Sequence, residues 1–324
     1  MTRRTVLAAF AALGLAACGT SAVHAQAFPA KPIKIVVAFA PGGATDVLAR
    51  SLAQQMSVQT GATVIVENKP GASGAIAMEL VDKAPADGYT LLWGSDTVVV
   101  QPLLRKNFPV DPFRDLTPLA RLGTAPNVIS VNKKVPARDL KELIALAKAR
   151  PGDLKYGSGG NGSSQHLSGE EFKIRSGTSM IHVPYKGTGP AVTDLLGGHI
   201  DLVFTGIGEV APHAASGEVR PLAIMSEARV AALPNVPTLI ELGYPGFIGG
   251  SWMGVLAPAG LPREIATWLT DRILAAAQSD EFKQKSQGFG ITGALLKGPE
   301  TGAFMRSLSD RMREAIDKAG ITVD

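Results

Sequence analysis

A single cysteine, Cys18, in 324 residues leaves no partner for a disulfide and nothing from which to build a CxxC zinc or redox motif. Charged residues are sparse at 19% against 45% hydrophobic, a balance that buries a core rather than staying disordered. Neither sign of charge dominates. There are 32 Lys and Arg against 28 Asp and Glu, a formal +4 that drops to +2 (30 against 28) once Arg3 and Arg4 of the leader are set aside. The basic residues are scattered, without the stripe or face a nucleic acid requires. Histidine is scarce as well. His166, His182, His199 and His213, the four beyond the leader, form no pair at metal-ligand spacing. GxSxG, GxxxxGK[ST] and HExxH do not occur, so no catalytic residue, metal ligand or cofactor is assigned.

Glycine (36) and proline (22) are plentiful and cluster between apolar runs, which favours many turns over a helical bundle. The length suggests about two domains. Residues 1–27 read as an export signal: Arg3-Arg4, an apolar run from Val6 to Ala17, then small residues up to Ala25 and Ala27, after either of which cleavage fits. The paired arginines also match a twin-arginine signal. Leu15-Ala16-Ala17-Cys18 resembles a bacterial lipobox, which would cleave after Ala17 and make Cys18 a lipidation site. The mature chain is expected in the periplasm, free or lipid-anchored. No later segment reads as a membrane span, since the uncharged stretch from Leu242 to Pro262 holds six glycines and three prolines.

Past residue 30 strands and helices alternate. Ile33 to Phe39, Thr63 to Glu67 and Tyr89 to Trp93 are β-rich, and helical periodicity starts at Thr45-Asp46 and again over Ala72 to Ala84. This order predicts a doubly wound, mainly parallel sheet with flanking helices. A helix over Arg138 to Arg150 and short strands near Tyr156, Ile181, Asp201 and Pro221 form a second such unit. Ser251 to Ala257 leads back to helices near Arg263 to Gln278 and Glu300 to Ala319. Lobe 1 is therefore expected to be discontinuous, residues 28–125 and 250–324, with lobe 2, residues 126–249, inserted.

Three strand-to-helix loops are rich in glycine: Pro41 to Thr45, Pro70 to Gly74 and Gly157 to Ser164. Glycine lets a ligand approach the backbone, and the unpaired N–H groups of a helix start attract an anion. In open α/β sheets such loops gather where ligands bind. Gly157, Gly159 and Gly162 also fit GxGxxG, but the long preceding strand and the later acidic residue of a dinucleotide site are missing. Adjacent Glu170 and Glu171 would point apart on a helix. Asp46 reads as a helix-dipole partner, a brace for its loop, or a contact for a ligand ammonium. Trp93 and Trp252 read as core, hinge packing or an aromatic wall.

These motifs resemble the substrate-binding proteins of tripartite tricarboxylate transporters, the Bug family. The resemblance runs in order through Phe39-Ala40-Pro41-Gly42-Gly43-Ala44-Thr45-Asp46, Val66 to Ala72, Ala86 to Leu92, Tyr156-Gly157-Ser158, His182 to Gly187, Val236-Pro237-Thr238 and Ala257 to Gly260. It implies a two-lobed, periplasmic-binding-protein-like clamp that closes on a small carboxylate, held through backbone amides and bridging waters, and passes it to a membrane transporter. It places Phe39, Gly42, Gly43, Ala44, Thr45, Asp46, Gly71, Gly74 and Ser95 at the ligand from lobe 1. From lobe 2 it adds Ser158, Gly162, Ser163, Ser164 and Asp201. A monomer is expected. Two positions depart from the family pattern: Gln101-Pro102 replaces Asn-Pro, and Ser73 replaces a glycine. If Asp96 faces the ligand, it disfavours a highly charged anion and favours a mono- or dicarboxylate or an amino acid; if it points to solvent, nothing follows. A sensor feeding a signalling receptor, or a periplasmic enzyme using the same cleft, are the alternatives; a catalytic dyad within hydrogen-bond reach would favour the enzyme.

Overall fold

β-branched runs bounded by glycine and proline build the first strands. β1 (Ile33–Val37) lies between β2 (Val64–Asn68) and β3 (Thr90–Gly94), parallel to both, in a computed structural model that describes residues 28–319. Helices α1 (Ala44–Thr60) and α2 (Ala75–Asp82) make the crossovers, and α3 (Thr97–Leu104) follows β3. The expected β-α-β-α-β unit is present.

The next strand, β4 (Leu116–Asn132), is 17 residues long and changes partner midway. As far as Pro126 it pairs antiparallel with β9 (Gly250–Pro258), which in turn lies antiparallel to β3. From Asn127 onward its partners are β7 (Leu202–Gly206) and β8 (Val219–Ile224), also antiparallel. Beyond β7 come β5 (Lys155–Ser158) and β6 (Ile181–Pro184), parallel to one another, with β5 parallel to β7, giving the order β2-β1-β3-β9-β4-β7-β5-β6. Each half is thus an α/β unit with parallel outer strands. The strands shared at the middle run antiparallel, because β4 leaves the first half and β9 returns to it.

Helices α4 (Leu140–Ala149), α5 (Ser164–Ser176), α6 (Thr188–Gly197) and α7 (Ile207–Ala215) fill the second half. The chain ends in α8 (Arg263–Ala277), α9 (Asp280–Gly288), the short β10 (Leu296–Lys297) on β4, and α10 (Gly298–Ala319). The leader, Cys18 and the cleavage positions lie outside the described residues. Among the described residues no helix is long and apolar enough to cross a membrane.

Alternation along the strands decides where the core sits. Ile129, Val131, Leu202 and Phe204 face one side with Leu143, Tyr156 and Phe172, while Val128 and Val203 face the other with Val192, Leu195 and Ile207. A sheet covered on both faces needs such continuous apolar strands, and each buried aliphatic side chain contributes about 1.5–3 kcal/mol. In the first half Val36 and Leu92 pack with Met78, Val98, Leu104 and Met305. Trp93 and Trp252 are buried core residues beside the crossing, where a Cβ on Gly94 would come within 2.5 Å of the Trp252 ring. They form no aromatic wall of the cleft.

Candidate functional site

The carboxyl ends of β1, β3, β5, β6 and β7 each run directly into a loop and a helix start, and these starts converge on one cavity. From the first half it is lined by Phe39, Gly43, Ala44, Thr45, Ser95, Asp96 and Thr97. From the second come Gly159, Ser163, Ser164, Gln165, Thr188, Gly206 and Glu209, and the crossing strands add Ala125, Asn127, Ser251 and Met253. The two sides touch around it. Ala40 N donates to the Lys186 carbonyl at 2.9 Å, and Gln101 Nε2 donates to the Asn161 carbonyl at 2.9 Å. Gln101, the residue that departs from the family's Asn-Pro, therefore links α3 to the serine loop.

Of the fourteen residues singled out from the sequence, Phe39, Gly43, Ala44, Thr45, Ser95, Ser163 and Ser164 line the cavity. Ser163 is also the N-cap of α5, accepting from His166 N at 3.2 Å, and Ser95 Oγ lies 2.9 Å from Thr97 Oγ1. Gly42 and Asp46 stand behind the lining and shape it. Gly42, at φ 94, takes the left-handed turn that glycine accommodates, and its N–H donates to Asp46 Oδ2 at 3.1 Å. Asp46 also accepts from Arg50 Nε at 3.0 Å and Asn68 Nδ2 at 2.9 Å. Burial raises its pKa, but the bonds from Arg50, Asn68 and Gly42 outweigh burial and hold the carboxyl below its ordinary value. Of its three expected roles, the structure shows the brace, and it places Asp46 in the first turn of α1, where a dipole partner sits.

The remaining residues lie outside the cavity lining. Gly71 and Gly74 do not line the cavity: a Cβ on Gly71 would meet Ile76, and one on Gly74 would meet Thr97 and Ala38. Gly162 packs against Gln101 and Leu104. Asp201 lies at the opposite end of the sheet. It precedes β7, so four to five residues of strand separate it from the loops, and it accepts from Lys155 N at 2.8 Å. Ser158 is fully buried, with Oγ 2.6 Å from His182 Nε2 and receiving the Gly160 N–H at 3.1 Å.

That Ser158–His182 pair has the reach of a nucleophile and its base, the arrangement that would favour an enzyme. Its surroundings do not suit catalysis. The imidazole is stacked between Tyr156 (4.9 Å) and His166 (4.1 Å), and Ser158 does not open to the cavity. Burial, reinforced by His166 and Lys173, pushes the His182 pKa down to about 3, far too low for a general base at neutral pH. His166 Nδ1 in turn accepts from Gly162 N at 3.1 Å. The stack braces the serine loop from behind. Glu170 and Glu171 do point apart, toward Lys173 and Arg175 respectively. Among the described residues no group of three His, Cys, Asp or Glu is arranged to hold a metal ion.

The sequence reading missed Glu209. In the first turn of α7, it crosses to the other half of the molecule: Oε1 accepts from Ala44 N, the first amide of α1, at 3.0 Å and from Thr188 Oγ1 at 2.7 Å. Gly43 offers no capping side chain, so a carboxylate from 165 residues away caps α1. Gly206 makes room for it, since a Cβ there would come within 2.5 Å of Glu209 Oε2. Asp96 is the second acid, 5% exposed. Burial pushes its pKa up to about 7, opposed by the nearby Ser251 hydroxyl, the Trp252 amide, the Ser164 hydroxyl and the charge of Arg121. None of the cavity's described lining residues is Lys, Arg or His.

Residues 48–321 match the family described as tripartite tricarboxylate transporter family receptor. BugT of Bordetella pertussis is 37% identical over 319 residues, covering 98% of each chain. A protein of R. palustris solved with adipate is 35% identical with a TM-score of 0.87, over 91% of this chain and 99% of that one. MatC from Rhodopseudomonas palustris, solved with bound malate, is 29% identical with a TM-score of 0.82, over 89% and 100%.

Proposed function

The chain belongs to the tripartite tricarboxylate transporter receptor family, a family of solute-binding receptors with the two-lobed periplasmic-binding-protein fold, and on that premise we propose that it captures a small carboxylate in the periplasm. Residues 28–125 with 250–324 act as one lobe and residues 126–249 as the other, closing about the strand crossing at Pro126 and Gly250. The closed form then docks on a membrane transporter of the tripartite tricarboxylate type. Closure selects a conformation that the free protein already samples.

One observation carries the carboxylate reading: a carboxylate, that of Glu209, already sits at the amino end of α1 and accepts the Ala44 N–H. The next two amides of the turn, those of Thr45 and Asp46, have no partner within the helix by α-helical geometry, and Thr45 lines the cavity. Aligned dipoles favour an anion there by about 0.3–2 kcal/mol. Hydroxyls of Ser95, Thr97, Ser163 and Ser164 supply further donors around the same space. The adipate and malate in the two related structures support the same class of solute.

A thermal-shift panel tests this. At about 100-fold excess over Kd a true ligand adds about 2.7 kcal/mol to stability. Adipate, malate, succinate and acidic amino acids are the first probes. A shift with one or more of them, the acid being recovered unchanged, is the expected result. Shifts with sugars or nucleosides alone would remove the carboxylate reading.

A further inference from the structure

We propose that Gly208 and Phe289 are positioning residues that set solute affinity from outside the cavity, by fixing how far the two halves close. The proposal rests on the closure reading above and gives closure a place in the fold. Gly208 lies in the first turn of α7, in the second half, with a helical backbone that suits alanine. A Cβ there would overlap the ring of Phe289, the residue that ends α9 in the first half. The contact continues at Gly290, where a Cβ would come within 2.8 Å of the fully buried Ile207. The cavity lining includes none of these four residues.

Both sides of the contact are tied to the crossing strand β4. Before Pro126, Thr124 and Thr292 exchange two backbone hydrogen bonds at 2.8 and 2.9 Å, which fixes the loop after α9. Beyond Pro126, Asn127 pairs with Gly206, two residues ahead of Gly208. The Phe289 ring therefore stands as a wedge between two arms that meet at the crossing. So near a hinge, a small change in packing becomes a larger separation at the far loops, where Ala40 N donates to the Lys186 carbonyl at 2.9 Å. A methyl at position 208 overpacks the closed arrangement alone, because opening draws the α7 turn away from the ring. Its cost then falls on closure and leaves folding untouched.

Gly208→Ala, Phe289→Ala and the double variant test this against wild type, by urea unfolding without ligand and by calorimetric titration with adipate, malate and succinate. Closure without ligand is read from the rate at which Ala40→Cys and Lys186→Cys are trapped as a disulfide, in chains also carrying Cys18→Ser so that no third thiol competes. Alanine is the better helix former, so Gly208→Ala is expected to unfold at the same or a higher urea midpoint. It is expected to slow trapping, and to bind at least about fivefold more weakly each acid that wild type binds. With Phe289→Ala already present the methyl has room, and the same substitution is expected to change affinity by less than about twofold. A lowered midpoint with an unchanged trapping rate would mark an ordinary overpacked core and overturn the proposal. An equal loss of affinity in both backgrounds would overturn it as well. If wild type binds none of the three acids, the carboxylate reading falls by itself and the trapping rates decide the wedge: slowing only where Phe289 is present supports it, and no slowing overturns it. If Phe289→Ala does not fold, the opposed signs of midpoint and affinity in Gly208→Ala decide alone.

Discussion

Acidification should weaken the second half of the molecule through one buried ring, His182. Its Nε2 lies 2.6 Å from Ser158 Oγ, and its face lies 4.1 Å from the His166 ring. Burial, then the neighbouring His166 and Lys173, push its pKa down to about 3, and burial also holds His166 below its usual value despite Glu170 nearby. Two imidazolium charges at this separation would repel by about 4 kcal/mol at an effective dielectric of 20. The unfolded chain, with a histidine pKa of about 6.5, takes up its proton first. The stability from His182 is therefore complete above about pH 6.5 and is lost progressively as the pH falls toward about 3. One proton corresponds to about 1.4 kcal/mol per pH unit, hence about 2 kcal/mol between pH 6.5 and 5. Urea unfolding of wild type and His182→Gln at pH 7 and pH 5 measures this, the glutamine retaining a polar group toward Ser158. The variant should lose about 2 kcal/mol less than wild type over that interval. Equal losses in the two proteins would refute the assignment of a buried neutral ring.

Three further outcomes follow from the cavity. Gly206→Ala adds a Cβ 2.5 Å from Glu209 Oε2 at a backbone conformation (φ −68, ψ 156) that alanine adopts freely. The cost of about 1–3 kcal/mol should fall on closure, weakening ligand affinity by calorimetry while the unfolding midpoint without ligand stays near wild type. Asp46→Ala strips a buried acceptor from Gly42, Arg50 and Asn68 and should cost about 2–4 kcal/mol in denaturant unfolding. In wild type the Asp46 contribution is present above the ordinary aspartate range and lost as the pH falls through the lowered folded value. Asp96, with its pKa up at about 7, should make affinity for a dicarboxylate fall as pH rises from 6 toward 8, because its ionisation places a like charge in the cavity lining, a trend that D96N abolishes. Titrations at three pH values in each protein would show it.

The outer strands and their helices are legible because they are local: Ile33 to Val37 stops at a Pro-Gly-Gly turn, and Ala44 onward has a 3.6-residue apolar period. The helices expected at Arg138, Arg263 and Glu300 begin within two residues of those positions. The antiparallel middle is not local. β4 carries Gly123 and Pro126, which interrupt an otherwise apolar, extended run, yet the strand continues because Gly123 and the register shifts beside β9 absorb the irregularity. Its partner strand begins over 100 residues later. The same distance hides Glu209, an ordinary first-turn acid of α7 until the fold sets it 3.0 Å from Ala44 N; the small residues Gly206 and Thr188 around it were the available signal. Asp201 shows the opposite limit of a motif. A motif placed it near the ligand, but its position before β7 puts it at the far end of the sheet.

The most direct test of the account is a crystal structure of the protein with the acid that gives the largest thermal shift. The account predicts that acid between the two halves, its carboxylate on the amides of the first turn of α1 near Thr45. A ligand bound away from Thr45 and the serine loop, or one whose carboxylate is held by a lysine or arginine side chain, would contradict it.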